Sequence, residues 1–274
     1  MTQPDRPAGR GHKLRPSPVK ARARELGLTV LEPQRPREIL DALQDARPDV
    51  FVVASYGKIL PQALLDLPRL GALNVHPSLL PLYRGATPLQ AQIRDLCTTT
   101  GVTIIWMDAG IDTGDIVLQE RAPLGPRETF GELHDRLAAQ GARLLERVLE
   151  RAQTGCLERT PQRGLASEDE VAATLTRPLQ ISDLQVDWRA DALHADALIR
   201  SLSPQPAARG SIEGAPCKIL SAHPSGGSGG RHPGTAWVDR GLFVACGKGA
   251  LQIDRLVPPN RAAMSGAAYA ASLK

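Results

Sequence analysis

In the first part of the chain, short β-branched runs alternate with longer amphipathic stretches, and this alternation constrains the fold more than any other feature. Residues 50–55 (VFVVAS) form the strongest predicted strand, a continuous apolar run typical of strands buried in a parallel sheet. Residues 129–152 predict a long amphipathic helix, opened by Thr129 with Glu132 at the spacing of a capping box. Strands that alternate with helices predict an α/β domain over residues 1 to about 170.

The same reasoning predicts the remaining elements of this domain. Residues 1–20 are rich in proline and glycine and lack apolar periodicity, which predicts a loop. Helices are expected at 18–26, 36–46, 61–67 and 88–96, and strands at 28–31, 72–75, 100–107 and 115–121.

The second part of the chain has a different pattern. After a helix expected at 191–201, short strand-like runs alternate with Gly, Pro and Ser clusters, which predicts a small β-barrel or sandwich. These runs lie at 218–222, 235–238, 242–245 and 251–256. We therefore expect an α/β domain at 1–155, a linker at 156–180 and a β-rich domain at 181–274.

Charge is distributed unevenly along the chain, although the net charge is only +4. Residues 1–24 hold seven basic residues and one acid, and residues 175–274 hold 11 basic and seven acidic residues. The body between them, 25–174, holds 15 basic and 21 acidic residues. This clustering at both ends favours a polyanionic partner, although surface Lys and Arg also serve simply as solvated charge.

Composition excludes several classes of protein. Aromatic residues are only 3% of the chain, which argues against a base-stacking platform for single strands. No apolar run approaches the length of a membrane span, and the polar N-terminus lacks a signal-peptide pattern. The four cysteines stand far apart without metal-ligand spacing, so we expect free thiols in the cytoplasm.

Asn74 and His76 are the first candidates for chemistry, because they project to the same face of a strand whose side-chain period is two. An amide donor beside an imidazole can stabilise an oxyanion or move a proton. The alternative is that Asn74 caps a turn and His76 packs or faces solvent.

The acidic segment 107–116 (MDAGIDTGDI) is the second candidate. A carboxylate from this segment could orient an imidazole for acid-base catalysis. Alternatively the segment is an ordinary Asp/Gly turn or a weakly calcium-like loop, although its spacing does not match an EF-hand.

Together these residues resemble the formyltransferases that use 10-formyltetrahydrofolate. The resemblance is carried by Asn74-x-His76 and by residues 78–81 (SLLP), 101–104 (GVTI), 112–115 (DTGD), 54–61 (ASYGKILP), 186–188 (VDW), 199–204 (IRSLSP) and 244–249 (VACGKG). The basic head at 2–20 looks like the tRNA-contacting loop of the members that formylate methionine on initiator tRNA. The resemblance covers nearly the whole chain.

The resemblance implies a Rossmann-like formyltransferase domain, shortened at its N-terminus, followed by a small OB-like β-barrel that binds tRNA. It implies that a formyl group passes from 10-formyltetrahydrofolate to the amino group of methionine on initiator tRNA, for translation initiation. We expect a monomeric cytoplasmic enzyme that needs no metal and has no membrane partner.

Roles for individual residues follow from the same resemblance. The implied catalytic residues are Asn74, His76 and Asp112. The implied folate-binding residues are Tyr56, Gly57, Ile59, Leu60, Ser78, Leu79, Leu80 and Pro81. The implied tRNA-binding residues are Arg10, Lys13 and Arg15. Asn74 and protonated His76 would stabilise negative charge on the formyl oxygen, while Asp112 would hold and charge His76.

The chain departs from the family pattern in three places. The family's first domain begins with a strand-helix-strand unit, of about thirty residues, before the basic loop. This chain begins at that loop, so we expect the native start to lie upstream. Pro204-Gln205-Pro206 stands where the family has Pro-Trp-Pro, and the Gly/Ser loop at 225–230 is an insertion.

Two other functions compete with this one. The first is formylation of a nucleotide-linked amino sugar or a purine precursor, against which the basic head and the β-rich second region argue. The second is RNA binding without catalysis, which the presence of Asn74, His76 and Asp112 does not support.

Overall fold

The computed structural model describes residues 1–8, 13–155 and 157–272. Up to residue 155 the elements are β1 (Arg6–Ala8), β2 (Lys13–Arg15), α1 (Pro18–Glu25), a 3-10 turn (Pro36–Ile39), α2 (Leu40–Ala46), β3 (Phe51–Val53), α3 (Gln62–Leu65), β4 (Ala72–His76), α4 (Pro88–Arg94), β5 (Thr99–Trp106), β6 (Ile116–Pro123) and α5 (Phe130–Gln153).

Beyond residue 156 a short helix and a 3-10 turn precede a strand-rich region. The elements are α6 (Glu168–Ala173), a 3-10 turn (Ile181–Leu184), α7 (Ala192–Ser201), β7 (Ala208–Ile212), β8 (Ala215–Ser225), β9 (Ala236–Val238), β10 (Leu242–Ala245), β11 (Ala250–Val257), β12 (Met264–Ser265) and α8 (Gly266–Ala271).

The chain divides into two compact units. The first unit comprises Met1–His76, Ile104–Leu118 and Val148–Gln162. The second unit comprises Pro77–Thr103, Gln119–Arg147 and Arg163–Lys274. The expected boundary at 156–180 stays a prediction.

In the first unit, β3, β4 and the unit's parts of β5 and β6 lie side by side in the order β3-β4-β5-β6. Strands β3 and β4 are parallel, with Phe51 opposite Ala72. The α3 segment buries Leu64 and Leu65 in an apolar cluster that includes Ala72. This core fixes β4, the strand that carries Asn74 and His76.

Three expectations for the first unit are wrong in detail. No strand forms at residues 28–31, and β3 lies at the sheet edge with Val52 43% exposed, so an apolar run alone did not reveal its position. The head, expected as a loop, contains the antiparallel pair β1 and β2. The two strands show no apolar alternation, and their residues Arg6, Pro7, Leu14 and Arg15 are exposed rather than packed on a core. The helix expected at 18–26 is confirmed as α1.

In the second unit, β7 to β12 form one antiparallel sheet. The order is β7-β8-β11-β10-β9, and β12 pairs with β11. Helices α7 and α8 contribute Ile199 and Tyr269 to its core, beside strand residues such as Ile219 and Leu251. The expected α/β domain followed by an OB-like, strand-rich domain is confirmed, whereas β7, β12 and α8 were missed.

The long helix of the sequence analysis is also confirmed, with its start as expected. The Glu132 carboxylate accepts the backbone N–H of Thr129 at 2.9 Å, and the Thr129 hydroxyl accepts the backbone N–H of Glu132 at 3.4 Å. These reciprocal bonds satisfy donors that a helix start otherwise leaves open.

Candidate active site

Asn74, His76 and Asp112 come together within the first unit, as the sequence analysis expected for a catalytic group. Nδ1 of His76 lies 3.5 Å from Oδ2 of Asp112. The Asn74 side-chain amide donates to the other carboxylate oxygen, Oδ1, at 3.2 Å. One carboxylate therefore contacts both β4 side chains, which share a face because they are two residues apart on the strand.

Burial strengthens the electrostatic interaction between His76 and Asp112. The side chains of His76 and Asp112 are 4% and 15% exposed. Opposite charges attract more strongly when little water screens them, so the carboxylate stabilises a positive charge on the imidazole. At 3.5 Å the contact is longer than a strong hydrogen bond, and such contacts commonly tighten when substrate binds.

The loop between β5 and β6 (residues 107–115, the Asp112 loop) presents this carboxylate. Asp112 adopts a left-handed conformation with φ +54°, which is uncommon for residues other than glycine. Gly114 lies so close to β5 that an added Cβ would stand 1.8 Å from the carbonyl oxygen of Trp106. Only glycine fits there, so the return of the loop is fixed against the strand.

Asp108 has a different role in the same loop. Its carboxylate accepts the Thr113 hydroxyl at 2.7 Å and the Gly110 backbone N–H at 3.0 Å. It therefore closes the turn, as the alternative of an Asp/Gly turn predicted, while Asp112 reaches out to β4.

The segment Ser78–Pro81 belongs to the second unit. Thr103 anchors it, because the Thr103 hydroxyl donates to the Ser78 carbonyl at 2.6 Å and accepts the Leu80 backbone N–H at 3.2 Å. The Ser78 hydroxyl donates to the Leu82 carbonyl at 2.7 Å. Gln119 donates to the Leu80 carbonyl at 3.0 Å. The segment is thus held rigidly by its neighbours, and Leu79 remains partly exposed.

The segment Tyr56–Leu60 belongs to the first unit and follows β3. Ile59 is 87% exposed, whereas Leu60 packs in the core. Gln3 donates to the Tyr56 carbonyl at 2.6 Å. Among the described residues, the buried Tyr56 hydroxyl has no hydrogen-bond partner, and burial raises the pKa of this phenol. A buried, protonated hydroxyl without a protein partner suits a polar group of a ligand.

Strands β1 and β2 (the basic hairpin) concentrate positive charge. Arg6 lies directly opposite Arg15, and both side chains are exposed. Like charges placed opposite each other across a strand pair destabilise it, so a polyanion that neutralises them gains by binding. The predicted residue Lys13 lies opposite Ala8 on β2, and Arg10 lies outside the described residues.

Lys20 shows that part of the head's charge is internal. Its ammonium contacts Asp5 at 2.7 Å and Glu32 at 2.6 Å, and its side chain is 6% exposed. These hydrogen bonds raise the pKa of Lys20. Lys20 is therefore a buried residue paired with two carboxylates, and it does not add to the positive charge on the surface.

Sequence reasoning missed Arg6 as a member of the basic hairpin and Gly114 as a support of the Asp112 loop. The signal for Arg6 was present in the charge count, but its pairing with Arg15 depends on a register that the sequence does not display. Gly114 carried only the general signal of a glycine in a turn.

Two negative findings concern the part of the chain that the structure describes. There, no group of three or more His, Cys, Asp or Glu side chains is placed to hold a metal ion. No helix in those same residues is long and apolar enough to cross a membrane.

Two family models match this chain. The model described as formyl transferase matches residues 1–149, and the model of the formyl transferase C-terminal domain matches residues 178–274.

Three similar curated proteins carry the name methionyl-tRNA formyltransferase. The protein of Aromatoleum aromaticum is 44% identical over 263 residues, which cover 94% of this chain and 81% of the relative. The protein of Pseudomonas paraeruginosa is 42% identical, with 94% and 82% covered. The protein of Geobacter metallireducens is 37% identical, with 100% and 87% covered.

Solved structures share the fold at lower sequence identity. An N-formyltransferase from Helicobacter canadensis, in complex with folinic acid and dTDP-3-aminofucose, matches with a TM-score of 0.65 and 17% identity, covering 92% of this chain and 87% of that one. HypX from Aquifex aeolicus, in complex with tetrahydrofolic acid, matches with a TM-score of 0.64 and 18% identity, covering 86% and 40%.

Proposed function

The chain belongs to the formyltransferase family, and we propose that it transfers the formyl group of 10-formyltetrahydrofolate to the amino group of methionine on initiator tRNA. The observation that carries the proposal is the Asp112 carboxylate, which contacts both Asn74 and His76 inside one unit. The near full-length similarity to methionyl-tRNA formyltransferases supports the choice of acceptor. Because this reaction serves translation initiation, we place the enzyme in the cytoplasm.

The reaction develops negative charge on the formyl oxygen when the methionine amine attacks the formyl carbon. The Asn74 amide carries two N–H donors, and one of them already bonds to Asp112. In the proposal, its second N–H and the Nε2–H of His76 donate to the developing oxyanion. Loss of one such donor typically lowers the rate about a hundred- to thousandfold.

Asp112 prepares both donors for this task. Its contact with Nδ1 sets the tautomer and orientation of the His76 ring, so that Nε2 is the nitrogen that serves the substrate. Its negative charge stabilises the imidazolium form, which is the better donor. Asp112 would also accept the amine proton, through a water molecule, after the new bond forms. It would return that proton to the folate nitrogen as the bond between this nitrogen and the formyl carbon breaks and tetrahydrofolate leaves.

The donor 10-formyltetrahydrofolate supplies the activated formyl group when it is bound. The buried Tyr56 hydroxyl, which lacks a partner among the described residues, and the exposed apolar Ile59 suit a ligand with polar edges and apolar faces. We assign folate binding to Tyr56, Gly57, Ile59, Leu60, Ser78, Leu79, Leu80 and Pro81. The two similar structures solved with folates share the fold of this chain.

We assign tRNA binding to the basic hairpin, including Arg15, Lys13 and the additional residue Arg6, and to Arg10. The cross-strand Arg6–Arg15 pair is the feature that favours a nucleic acid, because phosphates relieve the repulsion between the two guanidinium groups. The strand-rich second region is assigned to tRNA as well.

Formylation assays with competing acceptors test the proposal. Initiator Met-tRNA and a dTDP-linked amino sugar are each offered with 10-formyltetrahydrofolate, and the formylated products are separated and quantified. We expect formyl-Met-tRNA and no formylated sugar. If only the sugar is formylated, the enzyme is a small-molecule formyltransferase and the proposed acceptor is wrong. If neither acceptor is formylated, the proposal is contradicted.

A further inference from the structure

Gln162 contacts the Asp112 loop from the segment, residues 156–180, that the sequence predicts as a linker. Its side-chain amide donates to the carbonyl oxygen of Asp112 at 2.9 Å and to that of Gly114 at 2.7 Å. Both amide hydrogens are therefore used on the backbone of one loop. Gln162 is 5% exposed, so these bonds form where water competes little.

The short segment that carries Gln162 is itself fixed to the same unit. Thr160 and Ile116 exchange two backbone hydrogen bonds of 2.8 and 2.9 Å, which pair the segment with the first residue of β6. The Arg159 guanidinium lies over the Trp106 ring at 4.3 Å, at the last residue of β5. Residues next to Gln162 therefore contact Trp106 and Ile116, which flank the Asp112 loop on either side. These contacts hold Gln162 in a fixed position beside the loop.

We propose that Gln162 is a positioning residue that holds Asp112 in the conformation in which its carboxylate reaches Asn74 and His76. The inference deepens the proposed function and rests on it for its catalytic consequence. The bond to the Asp112 carbonyl fixes the peptide plane that follows Asp112. It thereby restrains ψ of a residue whose φ of +54° places it in the left-handed region. The bond to the Gly114 carbonyl fixes the other side of the turn.

The chemistry of the amide explains why glutamine suits this position. Two carbonyl oxygens need two donors, and a neutral NH₂ group supplies both without adding charge beside the Asp112 carboxylate. A glutamate would face both carbonyls with acceptors, and a methionine of similar shape would leave both without this donor. In either case the loop loses the support for the strained residue.

The test combines a double-mutant cycle with hydrogen exchange. Gln162→Met is expected to lower kcat for Met-tRNA formylation about a hundredfold with KM for both substrates unchanged, because misplacing a catalytic group costs rate rather than binding. In the Asp112→Asn background, Gln162→Met is expected to cost about twofold at most, since the two residues act as one unit. An equal loss in both backgrounds overturns the proposal.

Two further variants separate positioning from general stability. Gln140→Met removes another buried glutamine, whose amide contacts Glu120 at 2.9 Å in the second unit, and is expected to keep wild-type kcat. Gln162→Asn keeps the amide on a shorter side chain and is expected to lose activity to an intermediate degree. This variant keeps the test decisive if Gln162→Met does not fold.

Amide hydrogen exchange of peptides spanning residues 108–116 supplies a readout that is independent of catalysis. Faster exchange in Gln162→Met than in Gln140→Met is expected, and unchanged exchange contradicts the proposal. If the wild-type chain formylates no Met-tRNA, the proposed function fails, while the exchange experiment still decides whether Gln162 holds the loop.

Discussion

The Asp112 loop and the basic hairpin use charge in opposite ways. In the loop, one partly buried carboxylate contacts an imidazole and an amide, so its charge is directed at two groups of the protein. In the hairpin, Arg6 and Arg15 lie opposite each other and exposed, so their charge is directed outwards. The contrast supports the proposal that the first region contributes to catalysis and the second binds a large anionic partner. Variants in the two regions should therefore change different measured quantities.

The largest expected effect follows from His76→Ala, which removes an oxyanion donor and the partner of Asp112. We expect kcat for Met-tRNA formylation to fall about a thousandfold or more, with the Kd for tRNA unchanged. Steady-state kinetics and filter binding give the two values. His134→Ala, which removes an exposed histidine on α5, is the matched control and should behave as wild type. If His76→Ala also loses tRNA affinity, the proposal that catalysis and tRNA binding depend on different regions is wrong.

Asn74→Ala should have the next largest effect. The substitution removes the N–H that bonds to Asp112 and the N–H assigned to the oxyanion, while His76 keeps its carboxylate partner. We expect kcat to fall about a hundredfold. Single-turnover rates at saturating substrates measure this step. A fall confined to KM would show that Asn74 binds substrate without assisting the reaction.

In the basic hairpin, the double substitution Arg6→Ala with Arg15→Ala should weaken tRNA binding and leave kcat at saturating tRNA unchanged. A plot of the logarithm of the tRNA association constant against the logarithm of the salt concentration has a negative slope. Each lost phosphate contact makes this slope less steep by about 0.7 to 0.9. Binding titrations over a range of KCl concentrations test this. Arg69→Ala, at an exposed arginine paired with Asp49, serves as the control. An unchanged salt slope in the double variant would show that the basic hairpin does not contact the tRNA phosphates.

The smallest expected effect on tRNA binding comes from Lys20→Met, although the sequence counts Lys20 among the same basic residues. Its removal leaves Asp5 and Glu32 without their shared cation, so thermal unfolding should occur at a lower temperature. The salt slope of tRNA binding should stay at the wild-type value. A reduced slope with an unchanged melting temperature would place Lys20 on the surface after all.

Strand β5 could be predicted from the sequence because it contains a continuous apolar run, and β4 was predicted although it is short and contains Asn74. The capping box correctly marked the start of α5. The shared face of Asn74 and His76 followed from the period of a strand. The contact between Asp112 and these residues was expected only from the family resemblance, since no local pattern in the sequence shows that two distant segments meet.

Other features were hidden for physical reasons. A lysine looks the same in sequence whether it lies on the surface or is buried between two carboxylates, like Lys20. The pairing of Arg6 with Arg15 depends on hairpin register, which lacks a core-facing pattern here. Gln162 lies in an aperiodic segment, where hydrogen bonds rather than apolar contacts fix the chain.

The central claim is that the Asp112 carboxylate, through Asn74 and His76, drives formyl transfer to Met-tRNA. The most direct measurement is the single-turnover rate of formyl-Met-tRNA formation from 10-formyltetrahydrofolate by the wild-type chain and by Asp112→Asn. We predict measurable transfer by the wild type and a rate about a thousandfold lower in the variant, with equal tRNA affinity. Equal rates in the two proteins, or no transfer by the wild type, would contradict the claim.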